Sequence, residues 1–181
     1  MVSTQLRRAE DLLQMERDSS FELVEGELHE VMSPSGPNHG FVVGNLAAML
    51  HSRIREGRLG RLYVGDTYVL LQRDPDTVLA PDIAFVSAER LPLEDSAFMT
   101  IPPDIAIEVV SPGNSPGEIE RKVALFLRGG VRSVWVVYPR QRQIVIHAPE
   151  IAPRVFGEGE MVTDPDTLPG FSFSLSDVFE D

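Results

Sequence analysis

Residues 105–122 read Ile-Ala-Ile-Glu-Val-Val-Ser-Pro-Gly-Asn-Ser-Pro-Gly-Glu-Ile-Glu-Arg-Lys. From Ile105 to Val110 the run is apolar except for one carboxylate, Glu108, which predicts a strand buried on both faces. An unpaired charge there is costly, so Glu108 requires a cation, a hydrogen-bond network or a raised pKa. Turn formers fill Gly113 to Gly117, and Pro116 suits the first turn of a helix. Ile119, Val123 and Phe126 then face the core, and Gly129-Gly130 closes the helix. Val131 to Tyr138, with Trp135 inside it, is the next strand. Strand, helix and strand thus follow one another here.

Lys122 lies on that helix and is the only lysine among sixteen basic residues. Arginine serves ion pairs and phosphate contacts, whereas lysine is a compact amine whose pKa shifts readily. An arginine-rich chain that keeps one lysine here suggests that an amine is needed. Glu118, one turn earlier, offers the plainer reading of a surface Glu–Lys pair on a flanking face. Against it stands the start of the helix beside Glu108, which brings Lys122 to the sheet edge.

Upstream, Val78 to Val86 predicts a neighbouring strand, with Pro81 at a bulge or bend. Asp82 follows, either re-aimed into a site by that bulge or satisfying a local turn amide. Arg61 to Gln72 reads as a strand pair, and Ser87 to Met99 as a loop with one helical turn. Before these, Asn38 is expected to cap a long helix with Phe41, Val42, Leu46, Met49, Leu50 and Ile54 inward. His39 sits in its first turn, either as a capping or surface residue or in contact with phosphate. Arg53, Arg55 and Arg58 end the helix, where they complement its dipole and form the best basic patch for a nucleic-acid backbone. Ser33 to Pro37 is a loop. Phe21 to Met32 alternates about Gly26 as a β-hairpin, whose Glu25 and Glu27 are solvated turn residues or point toward a site. Thr4 to Arg17 predicts a short amphipathic helix with Leu6, Ala9 and Leu13 in one stripe. Beyond Tyr138, Gln143 to His147 is a returning strand. A meander follows, and Ser176 to Glu180 ends the chain as a short helix or coil.

The 181 residues fit one domain spanning 1–181, with 43% hydrophobic and 24% charged residues. With no cysteine, disulfides and thiolate metal sites are excluded. No apolar run reaches a membrane span of roughly 20 residues, and no signal peptide is read, so a cytoplasmic location is expected. A net charge of −12 argues against broad, non-specific nucleic-acid binding, so any nuclease must rely on local positive patches.

Two carboxylates and one lysine converging on a sheet edge form a metal-dependent phosphodiesterase pattern. Asp82 and Glu108 suit Mg²⁺ (or Mn²⁺), a hard cation that prefers oxygen, with the Val109 carbonyl and substrate phosphate completing its shell. Lys122 would orient or deprotonate water, or stabilise developing charge. The chain contains no Walker-type phosphate loop, no Gly-x-Ser-x-Gly elbow and no His-Glu-x-x-His. His29, His39, His51 and His147 lack zinc spacing.

Glu22-Leu-Val-Glu-Gly-Glu-Leu28, Pro81-Asp-Ile-Ala-Phe-Val86, Ile107-Glu-Val-Val-Ser-Pro112, Lys122, Val134-Trp-Val-Val-Tyr-Pro139 and Leu168-Pro-Gly-Phe171 follow in order. Taken together this series resembles the Uma-type family of restriction endonucleases in the PD-(D/E)XK nuclease superfamily. The resemblance spans nearly the whole chain. It implies an α/β (α+β) fold with a restriction-endonuclease-like core, a central mixed β-sheet flanked by helices, with Asp82 and Glu108 as metal ligands and a homodimeric assembly. The superfamily's usual lysine position is occupied by Val110; in the Uma-type branch the lysine sits on the following helix, matching Lys122. Glu118 stands where that branch usually has Asp, and Glu27 matches its Gly-Glu. The expected function is Mg²⁺-dependent hydrolysis of DNA phosphodiesters. The rivals are a non-catalytic DNA-binding or regulatory dimer on the same scaffold, and a small phosphoester hydrolase.

Overall fold

The computed structural model describes residues 6–15, 20–31, 36–65 and 67–180. In chain order the elements are α1 (Ala9–Leu12), β1 (Ser20–Val24), β2 (Glu27–Val31), α2 (Pro37–Gly57), β3 (Gly60–Val64), β4 (Val69–Gln72), β5 (Thr77–Leu79), β6 (Ile83–Ser87), β7 (Ile105–Val109), α3 (Pro116–Arg128), β8 (Ser133–Tyr138), β9 (Gln143–His147), β10 (Arg154–Phe156), β11 (Met161–Thr163) and β12 (Ser172–Ser174). Short 3₁₀ turns lie at Ala88–Arg90 and Leu175–Val178.

The central sheet has the order β10-β9-β8-β7-β6-β3. Within it β7 and β8 run parallel and the other neighbours antiparallel. The parallel pair needs a crossover, and α3 supplies it. Every residue of β7 is buried, because helices cover both faces. Ile105, Ile107 and Val109 pack in one core with Val42, Leu46, Leu50 and Ile54 of α2. Ala106 packs on the opposite face with Ile119, Val123 and Phe126 of α3. The period of two then turns Glu108 toward α3.

A smaller sheet, β2-β1-β5-β4, stands beside the central one. Its hairpin turns at Glu25 and Gly26, with φ of 51° and 83°. A two-residue turn with positive φ at both positions matches the twist of the flanking strands. Helix α3 starts with a capping box: the Ser115 hydroxyl accepts from Glu118 N–H, and the Glu118 carboxylate accepts from Ser115 N–H.

Several local expectations give way to this arrangement. Val78 to Val86 is not one strand: Ala80 to Asp82 separates β5 in the small sheet from β6 in the central one. Proline has no N–H to give a ladder, and Pro81 marks the crossing. Likewise β3 and β4 do not pair; β3 joins β6, and β4 joins β5. Helix α2 is capped by Gly36 and begins at Pro37, so Asn38 lies inside the helix, while Phe41 is exposed. Leu6 and Leu13 are also exposed, and Ala9 and Leu12 are the residues that α1 buries. Of the expected N-terminal helix, Thr4, Gln5, Glu16 and Arg17 lie outside the described residues, as do Met32 at the hairpin's end and Ser33 to Ser35 of the following loop.

Candidate active site

Lys122 lies one helical turn from Ile119 and Phe126, on the stripe of α3 that faces the sheets. It is therefore not a surface partner of Glu118, which is engaged at the helix N-terminus. Its Nζ is 2.8 Å from Glu108 Oε1 and 2.9 Å from Glu22 Oε1, and its side chain is 13% exposed. Glu22 comes from β1, so one ammonium ties the small sheet to the central strand. The Glu22 Oε1 atom also accepts from Ala80 N–H at 3.1 Å, at the crossing between the sheets.

Asp82 sits two residues further along that crossing. Its Oδ2 accepts from Val109 N–H at 2.7 Å, which anchors it to the end of β7. Its Oδ1 lies 3.3 Å from His39 Nε2, in the first turn of α2. The hydrogen bond to Asp82 raises the His39 pKa above the usual histidine range; burial opposes this, and the Val109 carbonyl adds to it. Asp82, Val109, Glu108, Lys122 and His39 thus form a continuous chain of contacts, with Glu22 joined through the lysine.

The charges do not cancel. Glu22, Asp82 and Glu108 bring three carboxylates against one ammonium and one imidazole. Burial pushes the Glu108 carboxyl up to about 8; Lys122 opposes the rise, and Asp82 and Glu22 reinforce it. For Lys122, burial disfavours the charge, but Glu108 and Glu22 outweigh it and hold the pKa above the ordinary lysine value. Glu108 Oε1 is buried, and the Lys122 ammonium it shares with Glu22 is the cation beside it.

A hard divalent ion fits that chemistry. The donors are carboxylate and carbonyl oxygens, and three carboxylates face one ammonium and one imidazole, so the site has excess negative charge. Among the described residues no three His, Asp or Glu side chains are clustered as a ready chelate. Water and substrate oxygens would have to complete the shell, as Mg²⁺ prefers.

The remaining candidates stand apart. Glu27 is exposed at the start of β2, and Glu25 is exposed with Arg128 at 3.6 Å. Arg53 and Arg55 are exposed on the far half of α2, and Arg58 is exposed as the residue that caps its end. At about 1.5 Å per residue, Arg53 lies roughly 21 Å along the axis from His39. Sequence reasoning missed Glu22, although the signal was the one that singled out Glu108: a lone acid among apolar residues, here Phe21-Glu22-Leu23-Val24. Glu22 is 4% exposed, because β1 lies between β2 and β5 and its Glu22 side turns toward α3.

A mixed sheet with a parallel strand–helix–strand unit and acids at the end of its central strand defines a restriction-endonuclease-like fold. The chain belongs to the Uma2 family, whose model, described as "Putative restriction endonuclease", matches residues 9–176. Its structure is similar to the crystal structure of a putative nuclease belonging to DUF820 from Anabaena variabilis ATCC 29413. The TM-score is 0.81 at 22% identity, over 94% of this chain and 96% of that one. Comparison with curated proteins yields no match. Among the described residues, no helix is long and apolar enough to cross a membrane.

Proposed function

We propose that this chain is a metal-dependent endonuclease that hydrolyses DNA phosphodiesters, with Asp82, Glu108 and Lys122 as its catalytic residues. The observation that carries the reading is the buried Lys122 ammonium, shared by Glu108 and Glu22 beside Asp82. Family membership supports the same class of reaction. Asp82 and Glu108, with the Val109 carbonyl, would hold Mg²⁺ or Mn²⁺. Bound there, the ion supplies Lewis-acid neutralisation of phosphoryl charge.

The chain's own groups do the positioning. Val109 N–H fixes Asp82, and Ala80 N–H fixes Glu22. Glu22 and Glu108 hold the Lys122 amine in its charged form, so Lys122 acts as a donor to the developing phosphoryl charge and not as a base. His39 holds the outer oxygen of Asp82. The reaction consumes one water and breaks one P–O bond, leaving a phosphomonoester and a hydroxyl. The reading includes the homodimer that the family resemblance implies, which sedimentation of the full chain tests.

Plasmid cleavage tests the proposal directly. Cleavage is expected with Mg²⁺ or Mn²⁺, to stop on chelation, and to be lost in Lys122→Ala and Asp82→Asn. Equal cleavage by these variants refutes the assignment. The non-catalytic DNA-binding or regulatory dimer is favoured by one observation, the net charge of −12. Calorimetry showing no Mg²⁺ or Mn²⁺ binding at millimolar concentration would select it.

A further inference from the structure

Four segments wall a cleft of about 450 Å³: the start of α2, the loop between β7 and α3, the first turns of α3, and the turn between β8 and β9. His39 lines it and is also 3.3 Å from Asp82 Oδ1, so whatever enters the cleft lies one side chain from the candidate active site. The volume is that of a small-molecule pocket. A cleft of that size has room for one base and not for a base-paired duplex.

The lining fits a nucleobase. Tyr138, the last residue of β8, is half-buried against the α3 core and contributes a ring, with Pro112 and Pro139 as further apolar walls. Arg140 and Gln141 bring donors, and Glu120 brings an acceptor suited to an exocyclic amine. Stacking on an aromatic ring, with hydrogen bonds to an exposed base edge, is how unpaired bases are held. Charge points the same way. A chain of net charge −12 with a carboxylate in this wall is poorly suited to tracking many phosphates.

Resting on the nuclease reading, we infer that this cleft takes one unpaired nucleobase of single-stranded DNA beside the scissile phosphodiester, with Tyr138 as its stacking platform. Duplex DNA is then a substrate only where a base is already unpaired or can be flipped out.

The test is binding by the full chain in EDTA, which prevents metal-dependent turnover. Fluorescence anisotropy compares a labelled single-stranded oligonucleotide with the same sequence as a duplex. The single strand is expected to bind at least about tenfold tighter. Tyr138→Ala should weaken it roughly 5- to 100-fold, and Tyr138→Phe by no more than about twofold. Equal affinity for strand and duplex, or unchanged binding by Tyr138→Ala, overturns the inference. Should Tyr138→Ala fail to fold by circular dichroism, 2-aminopurine walked along the strand decides with the unaltered protein. Quenching at one position supports the inference, and quenching at none overturns it. Quenching without Mg²⁺-stimulated cleavage sinks the nuclease reading alone; cleavage without quenching sinks this inference alone.

Discussion

Asp104 and Glu108 stand at opposite ends of the central strand β7, both acidic and both buried, at 0% and 7% exposure. Their surroundings differ. One Asp104 oxygen accepts from Ser87 N–H at 2.7 Å, and the other meets Arg90 at 3.0 Å and Arg132 at 3.3 Å. Burial alone would raise its pKa, but the Ser87 bonds and Arg90 outweigh burial and hold it below the usual carboxylate range. Glu108 shares one ammonium with Glu22, faces the charge of Asp82, and has its pKa pushed up. A buried acid whose partners are complete holds the fold together. A buried acid with too little positive charge beside it calls for something from outside the chain.

The largest effect that separates the two ends is on cleavage. Lys122→Ala, Asp82→Asn and Glu108→Gln should each lower the rate by roughly 10³-fold. Asp104→Asn, corrected for the fraction folded by circular dichroism, should stay near the unaltered rate. A comparable loss in Asp104→Asn would erase the distinction.

Stability should rank them the other way. Asp104→Ala strips two arginines of a buried partner and should cost about 3 kcal/mol in urea unfolding, discounted for the exposure of Arg132. Glu108→Gln in EDTA should cost less than Asp104→Ala, because burial already disfavours the Glu108 charge and Glu22 still pairs with Lys122. If Glu108→Gln proves the more damaging, Glu108 is structural.

Metal supplies the next contrast. At a hundredfold excess over its Kd, Mg²⁺ or Mn²⁺ should stabilise the chain by about 2.7 kcal/mol and leave Asp82→Asn and Glu108→Gln unmoved. Thermal melts with and without EDTA measure this.

The smallest effect at any single step of pH is the slope of stability in EDTA, at most about 1.4 kcal/mol per pH unit for one group. Asp104 has a folded pKa below its unfolded value. Its contribution is complete above the usual aspartate pKa and is lost as pH falls through the folded value. Glu108 has a folded pKa of about 8 against 4.5 unfolded. The folded state therefore binds the extra proton between those values, and stability falls as pH rises through that window. Subtracting the Glu108→Gln curve should remove this second limb only.

The two acids also show how far reading the residues carries. Glu108 stood out because a charge in an apolar strand is anomalous wherever that strand lies. Asp104, beside Pro103 at the strand's entrance, carries no such anomaly in the sequence. Its role comes from Arg90 and Arg132, which only the sheet brings to it. Lys122 stands out by its rarity, but its spacing leaves two faces of the helix open to it. Helical spacing puts it equally well with Glu118 or on the Ile119 and Phe126 stripe, and packing chose the second.

Local chemistry in the sequence was enough to specify the hairpin about Gly26, the strand β7 and the capped helix α3, each of which depends on neighbours in the chain or on a repeating pattern. The family came separately, from the resemblance of an ordered series of motifs along the chain. Only the tertiary structure moved Glu22 into contact with Lys122, broke one expected strand at Pro81 into two sheets, and left the arginines of α2 far from the acids. These follow from strand pairing and helix packing between distant segments. A side chain's partners, and so its charge state, are set by what folding places around it.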